Sequence, residues 1–492
     1  MNFLKYLMLF LFTYPMYSFA NTNVEQAMQA YKEKQYDQAA HILATHFNQI
    51  NTSNAINKLK AALIFSKNLK LYQDIYQKSK TNQKKYLTAL AHDSTENHSL
   101  FAKLYLAEIL VSNKKFKEAE TLLKEFIKAI SPNNQYAHIA NTNLAWISYA
   151  KNDIEKYHQY LDRVDKSRPL VALSIQHMQV QLTGKTRDSL KKTKEYEQAY
   201  LAENNALSSR FANYIIQAYL SYNDLQSAAN IFSHLDQRQP SYVENLGKQK
   251  TLKFYDASLV DSIAKLYFEL SKTLLKSVAK DPKYHDLAIF HLSELGLIRQ
   301  GTKATEKYLA QVEKLKRLPK NMRSLTRIRS TTHQYLNGQH HRAYQAWQEM
   351  MNGFKTKPVQ SADIVLMCIY LDANCPKIIK TAQVFAEDGQ SNRFEALSTN
   401  VGRYYLQKRN HVKALRLFAN ALDRSKTKNL FTNDPMLLLN YAEALRLNKK
   451  FSESLQILFS LGKHFPILRQ VQNAVQGEYL YSQRSNGFNY LY

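Results

Sequence analysis

The two cysteines, Cys368 and Cys375, are the residues whose chemistry the sequence predicts most directly. On one continuous helix they would lie about 10.5 Å apart at 1.5 Å per residue, beyond the ~7 Å limit for a disulfide. Asp372-Ala373-Asn374 is a turn signal between them, and Pro376 favours the first position of a new helix. We therefore predict that the helix ends between the cysteines and that they form a disulfide in an oxidising compartment. The alternative is two small buried thiols, and neither interpretation makes the cysteines catalytic.

The densest basic segment lies between residues 303 and 329, with nine lysines and arginines against two glutamates. Pro319 is expected to open a helix, and the basic residues at offsets of zero, three and seven from residue 320 would share one face of it. Arginine forks hold a carboxylate or phosphate through two hydrogen bonds. The alternative is a solvated helix face that only keeps the protein soluble. The candidate residues for binding an anionic partner are Lys316, Lys320, Arg323 and Arg327.

Catalytic motifs are absent from the sequence. It contains fifteen histidines, including the neighbours His340 and His341, but no H-E-x-x-H zinc helix. G-x-S-x-G, Walker and G-x-G-x-x-G motifs are also absent, and 11 glycines in 492 residues leave little room for such loops. We therefore predict no catalytic residues, no metal site and no cofactor, and we expect a protein that is not an enzyme.

The composition indicates the elements that carry these residues. Glycine and proline each make up about 2 %, against the usual roughly 7 % and 5 %, which argues against a sheet-rich or dinucleotide-binding fold. Hydrophobic residues make up 45 % and are dispersed in short groups among polar ones, as amphipathic helices require. A chain of 492 residues then forms either several domains or one extended solenoid. The predicted fold class is all-α.

A helix-pair pattern recurs along the chain. In one copy, Leu106 and Ala107 belong to a first helix, and Phe116, Ala119 and Leu123 follow on a second helix after a short polar link. Small residues at these positions let two antiparallel helices approach closely. Separations between copies fit multiples of roughly 36 to 40 residues. The predicted small packing positions are Ala39, Ala119, Ala228, Ala343 and Ala414 on second helices and Gly402 on a first helix.

This pattern resembles the tetratricopeptide repeat (TPR), whose consensus is W-x2-L-G-x2-Y, then A-x3-F, then P. The resemblance implies a right-handed superhelix of antiparallel helix pairs, a TPR-like α-solenoid whose first helices line a face that binds extended peptides. The family's Trp and Leu-Gly are mostly missing and the spacing exceeds the family's, so irregular helical repeats of other types are an alternative in places. We predict TPR-like repeats over residues 21–165, irregular helical repeats over 166–300, and TPR-like repeats with an aromatic tail over 301–492.

The first twenty residues resemble a signal peptide. A short basic start is followed by the apolar stretch Tyr6 to Tyr17 and by Ser18-Phe19-Ala20, so we expect cleavage after Ala20. An uncleaved anchor is the alternative, although about 12 apolar residues are fewer than the ~20 needed to span a bilayer. No later apolar run is long enough to span, so no transmembrane segment is expected after cleavage. The predicted location is the periplasm, with secretion as the alternative.

The formal net charge is +27, and it becomes +26 when the one lysine of the signal peptide is removed. Such an excess attracts anionic surfaces or polymers. Anionic glycans, lipid headgroups or an acidic protein remain candidates, whereas export removes the protein from nucleic acid. A generally basic surface without a specific ligand is the alternative.

The resemblance and the export signal together predict a non-catalytic scaffold for protein-protein interaction in a cell-envelope assembly. The first alternative is an accessory that binds polysaccharide or peptidoglycan in exopolysaccharide export or cell-wall turnover. A further alternative is a degenerate superhelix of the kind found in lytic transglycosylases, although no suitable Glu-Ser pair is present.

Overall fold

The computed structural model shows helices throughout the part of the chain that it describes, and no strand occurs among those residues. This confirms the predicted all-α class. The signal segment and the aromatic tail lie outside the described residues. The described residues are 22–33, 35–92, 98–167, 171–172, 175, 187–202, 208–232, 257–299, 303–312, 314–315, 317–318, 320–352, 364–369, 371–372, 375–388, 394–424 and 434–464.

The helices are numbered in chain order, and outside them residues 171–172, 175, 225–232 and 364–369 are also helical. The first ten are α1 (Thr22–Lys32), α2 (Tyr36–Thr45), α3 (Phe47–Thr52), α4 (Ala55–His92), α5 (His98–Ser112), α6 (Phe116–Ala129), α7 (Gln135–Ala150), α8 (Ile154–Asp162), α9 (Arg187–Ala202) and α10 (Ser208–Ser221). The others are α11 (Ala257–Val278), α12 (His285–Ile298), α13 (Lys303–Val312), α14 (Lys320–Leu336), α15 (His340–Asn352), α16 (Pro376–Asp388), α17 (Phe394–Gln407), α18 (His411–Arg424), α19 (Pro435–Leu447) and α20 (Phe451–His464).

Amphipathic spacing and capping residues explain where these helices form. In α6, the buried side chains of Ala119, Leu123 and Phe126 fall at offsets of zero, four and seven, which is one face of a helix. At the start of α19, the Asp434 side chain accepts a hydrogen bond from the Met436 N–H at 2.9 Å, and a proline follows at the first helical position. The helix boundaries are therefore encoded locally.

Consecutive helices pack as antiparallel pairs, and each pair packs on the next. The pairs include α5 with α6, α7 with α8, α12 with α13, α14 with α15, α17 with α18 and α19 with α20. The second helix of one pair contacts the first helix of the next, as α6 does with α7 and α18 with α19. First helices also contact one another, as α17 does with α19. This arrangement is an α-solenoid of TPR-like helix pairs.

The same turn joins the two helices in six of the described pairs. After α5, Lys114 has a left-handed backbone with φ of 60°, and its N–H donates to the Val111 carbonyl at 2.9 Å. The next N–H, from Lys115, donates back to the Leu110 carbonyl at 2.9 Å, and α6 begins at the following residue. These two bonds define a Schellman motif, which satisfies carbonyls at the helix end and reverses the chain. The left-handed residues of the six turns are Lys114, Asn152, Asn223, Gly338, Arg409 and Lys449.

Hydrogen bonds between neighbouring pairs recur at sequence separations of 35 to 38 residues. These separations are close to the repeat length of roughly 36 to 40 residues expected from the sequence pattern. Three of the four bonds join neighbouring first helices, and the fourth joins the end of a first helix to the start of the preceding second helix. The bonds join Glu108 with Asn143, Glu294 with Arg329, Ile369 with Gln407, and His411 with Asn448.

The chain divides into two compact units. Unit 1 comprises the described residues of Met1–Gln73 and Tyr267–Phe465, and unit 2 those of Asp74–Leu266. The boundaries fall inside α4 and α11, because the first helices of the chain pack with the C-terminal repeats. The units therefore do not coincide with the predicted segments 21–165, 166–300 and 301–492, which remain a prediction about repeat type along the sequence.

Candidate functional site

The two cysteines are paired in the structure. Their Cα atoms lie 6.3 Å apart, and both side chains are buried. The helical stretch 364–369 ends before Asp372, which has a φ of 46°, and α16 begins at Pro376. The disulfide therefore fastens the end of a first helix to the start of its second helix, across a turn longer than the Schellman turns.

The predicted anionic-partner residues fall largely outside the described part of the chain. Lys316 is not described, and of Lys320, Arg323 and Arg327 only the helical backbone in α14 is. Their role stays a prediction. Arg329, on the same helix, donates to Glu294 Oε1 of α12 at 2.9 Å, so this arginine ties two first helices together.

Two other residues of the basic segment line an open cavity of about 470 Å³ at the start of α12. Lys314 and Arg317 line it together with Lys280 and His285. The carboxylate of Asp286 also lines the cavity, where its Oδ2 accepts a hydrogen bond from the Arg317 N–H at 3.0 Å.

The predicted small packing residues lie in the helix interfaces. All five alanines are completely buried, as Gly402 is. A Cβ atom at Gly402 would lie 2.2 Å from two ring carbons of Phe418, on the paired helix α18. Glycine at this position thus lets the aromatic ring pack directly against the backbone of α17. The alanines are Ala39, Ala119, Ala228, Ala343 and Ala414.

The N-terminal half of α4 lies against other helices of unit 1. Ser66 and Ser271 on α11 share a hydrogen bond of 2.8 Å between their hydroxyls, and Gln73 Oε1 accepts from Arg299, just after α12, at 3.4 Å. Helix α12 is the first helix of its pair, and the TPR resemblance predicts that first helices line a peptide-binding face. In unit 1, the end of α12 contacts the chain's own N-terminal region.

An ion pair joins α4 to the beginning of α19. Lys67 Nζ lies 3.2 Å from Asp434 Oδ2 and 5.0 Å from the centre of the Tyr36 ring. Burial lowers the pKa of Lys67, but Asp434, Tyr36 and Tyr31 together raise it by more than burial lowers it. The pKa of Lys67 is therefore above its usual value. The ammonium group is therefore charged at neutral pH and acts as an interhelical contact. Sequence reasoning missed this pair, since 367 residues separate its members.

A second, half-buried charged cluster forms where α12 packs on α14. Glu294 accepts from Arg329 through Oε1, and its Oε2 lies 3.0 Å from His291 Nδ1. Burial raises the pKa of Glu294, whereas Arg329, His291 and Lys70 lower it more, to about 2. A carboxyl group with this pKa is ionised at neutral pH and cannot serve as a general acid there. The cluster is thus suited to holding helices together.

Three consecutive turns between first and second helices form a connected surface, which we call the turn ridge; it comprises Leu371–Asp372, Lys408–Lys413 and Asn448–Lys450. Lys408 Nζ of the middle turn lies 2.5 Å from Asp372 Oδ1 of the first. Asn448 Nδ2 of the third turn donates to the His411 carbonyl of the middle one at 3.0 Å. The three turns therefore lie side by side along one edge of unit 1.

The described residues offer no group of three histidine, cysteine, aspartate or glutamate side chains that could hold a metal ion. Within the same residues, no helix has both the length and the apolar character needed to cross a membrane.

No protein-family model matches the sequence, and no curated protein is similar to it in sequence. Among solved structures, the Cut9–Hcn1 hetero-tetramer of the APC/C is 12 % identical, with a TM-score of 0.31, and the match covers 92 % of this chain and 95 % of that one. The human IFIT1 dimer is 12 % identical, with a TM-score of 0.25 and coverages of 84 % and 95 %. Yeast Tom70 is 10 % identical, with a TM-score of 0.24 and coverages of 88 % and 98 %. At such scores these superpositions support no conclusion about this chain, and its helix-pair fold rests on its own packing.

Proposed function

We propose that this chain is a non-catalytic scaffold that is exported and holds a protein partner in the cell envelope. The observation that carries the proposal is the stacking of helix pairs, which are joined by hydrogen bonds between residues 35 to 38 positions apart. Stacked repeats build a long surface from many equivalent contributions, and such a surface suits an extended protein partner.

Two half-buried ion pairs among the described residues support a scaffold role. Glu294 with Arg329, and Lys67 with Asp434, are ion pairs between helices. The first pair joins neighbouring repeats and the second joins helices 367 residues apart, and the charged state is favoured at Glu294 and at Lys67. These groups hold the stack together, and the proposal assigns none of them a role in proton transfer.

The cysteine pair and the signal-like segment support export. A disulfide such as Cys368–Cys375 persists in oxidising compartments, including the periplasm, and is rare in the cytosol. The apolar stretch before Ala20 would serve as the signal for export. We propose the periplasm as the location, with secretion as the alternative.

In-cell photo-crosslinking tests the scaffold proposal. A photoreactive amino acid would be placed singly at Arg403 on α17 and Arg446 on α19, which are half-exposed positions on first helices, and at Gln345 on α15, which is an exposed position on a second helix. We expect the same protein to be captured from at least two positions. A photoreactive residue at Phe126, which is fully buried, is the matched control and should capture nothing beyond this chain.

Three results would count against the proposal. Capture of no other protein from any of the three positions would remove the scaffold role. A captured species that glycan hydrolases digest and proteases do not would favour the glycan-binding alternative. Release of soluble fragments from purified peptidoglycan by the exported protein would show that it is an enzyme.

A further inference from the structure

The turn ridge of unit 1 carries positive charges that the described residues do not neutralise. Lys408 is paired with Asp372, and Lys450 with Glu453 at 3.1 Å. In the described part of the chain, no acidic side chain forms an ion pair with the remaining cations of the ridge. These are Arg409, Lys413 and Lys449, and all three are exposed.

The backbone positions that carry these charges are fixed by local bonds. Arg409 and Lys449 are the left-handed residues of Schellman turns, so the backbone bonds of those turns set where each side chain begins. Lys413 lies on the first turn of α18, and its Nζ sits 5.0 Å from the centre of the Tyr405 ring. The hydrogen bond between Asn448 and the His411 carbonyl joins the two turns that carry these cations.

An exposed apolar side chain lies among these cations. Val412 is 71 % exposed, the largest exposure among the large hydrophobic side chains that the structure describes as exposed. It stands directly before Lys413 and three residues after Arg409. A valine in water at the edge of a helix pair adds nothing to the packing of the pair, whereas burial in an apolar medium is favourable.

We propose that the turn ridge binds the surface of an anionic phospholipid membrane, which goes beyond the protein-scaffold function. A row of cations spread over adjacent turns matches a laterally extended negative surface, where each lysine or arginine strengthens partition roughly fivefold. Val412 would enter the boundary between headgroups and acyl chains, as apolar residues of membrane-surface helices do. An anionic glycan would satisfy the cations but would leave Val412 in water, and for this reason the ridge favours lipid.

Vesicle sedimentation with the full exported chain tests the proposal. The probes are vesicles of phosphatidylethanolamine with one third phosphatidylglycerol, and vesicles of phosphatidylcholine alone. We expect binding to the first kind only, and Arg409→Gln/Lys413→Gln/Lys449→Gln should weaken it roughly a hundredfold. At Arg409 and Lys449, glutamine must adopt the same positive φ as the residue that it replaces. The turns, and with them the fold, should therefore persist.

The matched control removes the same number of charges elsewhere. Lys117, Lys128 and Lys166 are exposed lysines of unit 2, and their combined change to Gln should alter binding by less than a few-fold. Equal losses in the two triple variants would show that only net charge matters and would overturn the proposal. Failure of the unaltered protein to bind phosphatidylglycerol vesicles would overturn it as well.

Val412 provides a readout that separates lipid from glycan. Val412→Ser should weaken vesicle binding several-fold even at high salt, because apolar burial is not screened. In the Val412→Trp variant, the fluorescence of the introduced tryptophan should shift to the blue when phosphatidylglycerol vesicles are added and should not shift when dextran sulfate is added. A protein that binds dextran sulfate as well as vesicles, with no effect of either Val412 change, would identify the ridge as a polyanion site and contradict the lipid proposal.

Discussion

Gly402 shows at the scale of a single residue how closely two paired helices approach. Gly402→Ala would gain about 1 kcal/mol of helix propensity, but its Cβ would lie 2.2 Å from the Phe418 ring. Overpacking costs about 1–3 kcal/mol, so we expect a net decrease in the free energy of unfolding, measured by urea denaturation. Adding Phe418→Leu should recover part of the loss.

Gly338 provides the comparison. It has a φ of +78°, and nothing lies within 4 Å of a Cβ built on it, so Gly338→Ala is strained only through its backbone. We expect a loss of about 1 kcal/mol that no change of a neighbouring side chain relieves. An increase in stability with Gly402→Ala would show that α17 and α18 are farther apart than the structure indicates.

Glu294 makes stability depend on pH. Its pKa is about 2 in the folded protein and about 4.5 in the unfolded chain, so the ionised carboxylate stabilises the fold above pH 4.5. That contribution is lost as the pH falls from 4.5 to 2. Glu294→Gln should reduce the free energy of unfolding at neutral pH by about 2–3 kcal/mol, and the difference from the unaltered protein should shrink through this window.

The control for Glu294 is the same substitution at Glu118, whose side chain is 59 % exposed in a surface ion pair with Lys115. Such pairs contribute little, so Glu118→Gln should change stability by about 0.5 kcal/mol or less. A pH-independent difference between Glu294→Gln and the unaltered protein would contradict the assigned pKa.

The Cys368–Cys375 pair should resist thiol labelling in the native exported protein. Replacing both residues with serine should lower the free energy of unfolding by about 2–3 kcal/mol, because the disulfide restricts a short loop of the unfolded chain. A reductant should imitate the substitution in the unaltered protein and have no effect on the double variant. Full labelling of both native thiols would show that the disulfide does not form.

At the scale of the element, the Schellman turns place residues other than glycine in a left-handed conformation. At Lys114, the Cβ atom makes the left-handed conformation unfavourable by about 1 kcal/mol. Asparagine tolerates this conformation better. Lys114→Gly should therefore raise the free energy of unfolding by about 0.5–1 kcal/mol in thermal or urea denaturation. Asn152→Gly should give a smaller gain.

The control lies inside the next helix. Lys124→Gly, at an exposed interior position of α6, should lower stability by about 1 kcal/mol, because glycine is a poor helix former. Lys114→Gly and Lys124→Gly thus replace the same residue type and should change stability in opposite directions. Equal destabilisation by both would mean that the turn after α5 does not hold Lys114 at a positive φ.

At the scale of the whole molecule, the proposed export predicts where the functional chain begins. Cleavage after Ala20 predicts that the mature chain begins at Asn21 and has lost one positive charge. Terminal sequencing by mass spectrometry of the envelope fraction measures this directly. A chain that still begins at Met1 in that fraction would support the uncleaved anchor. Ala20→Leu is the control: it removes the small residue required for cleavage, so the variant should retain the first twenty residues.

The sequence by itself determined the class of fold and the local boundaries. Few glycines and prolines, amphipathic spacing and a recurring small residue predicted paired helices, because these signals act within one or two helical turns. The turn between Cys368 and Cys375 could be predicted for the same reason, since Asp372 and Pro376 act on the backbone beside them. The small positions were equally readable, as close approach of two helices permits only small side chains.

Only the tertiary structure decided which distant elements meet. Lys67 pairs with Asp434 across 367 residues, and Ser66 bonds with Ser271 across 205, so no local pattern connects them. The acidic partner of Arg329 and the low pKa of Glu294 likewise depend on the packing of α12 on α14. The turn ridge could not be predicted from the sequence either. Its turns are short links that form one surface only when neighbouring helix pairs stack. Helix formation depends on nearby residues, whereas burial, ion pairing and surface charge depend on the arrangement of helices that are far apart in the chain.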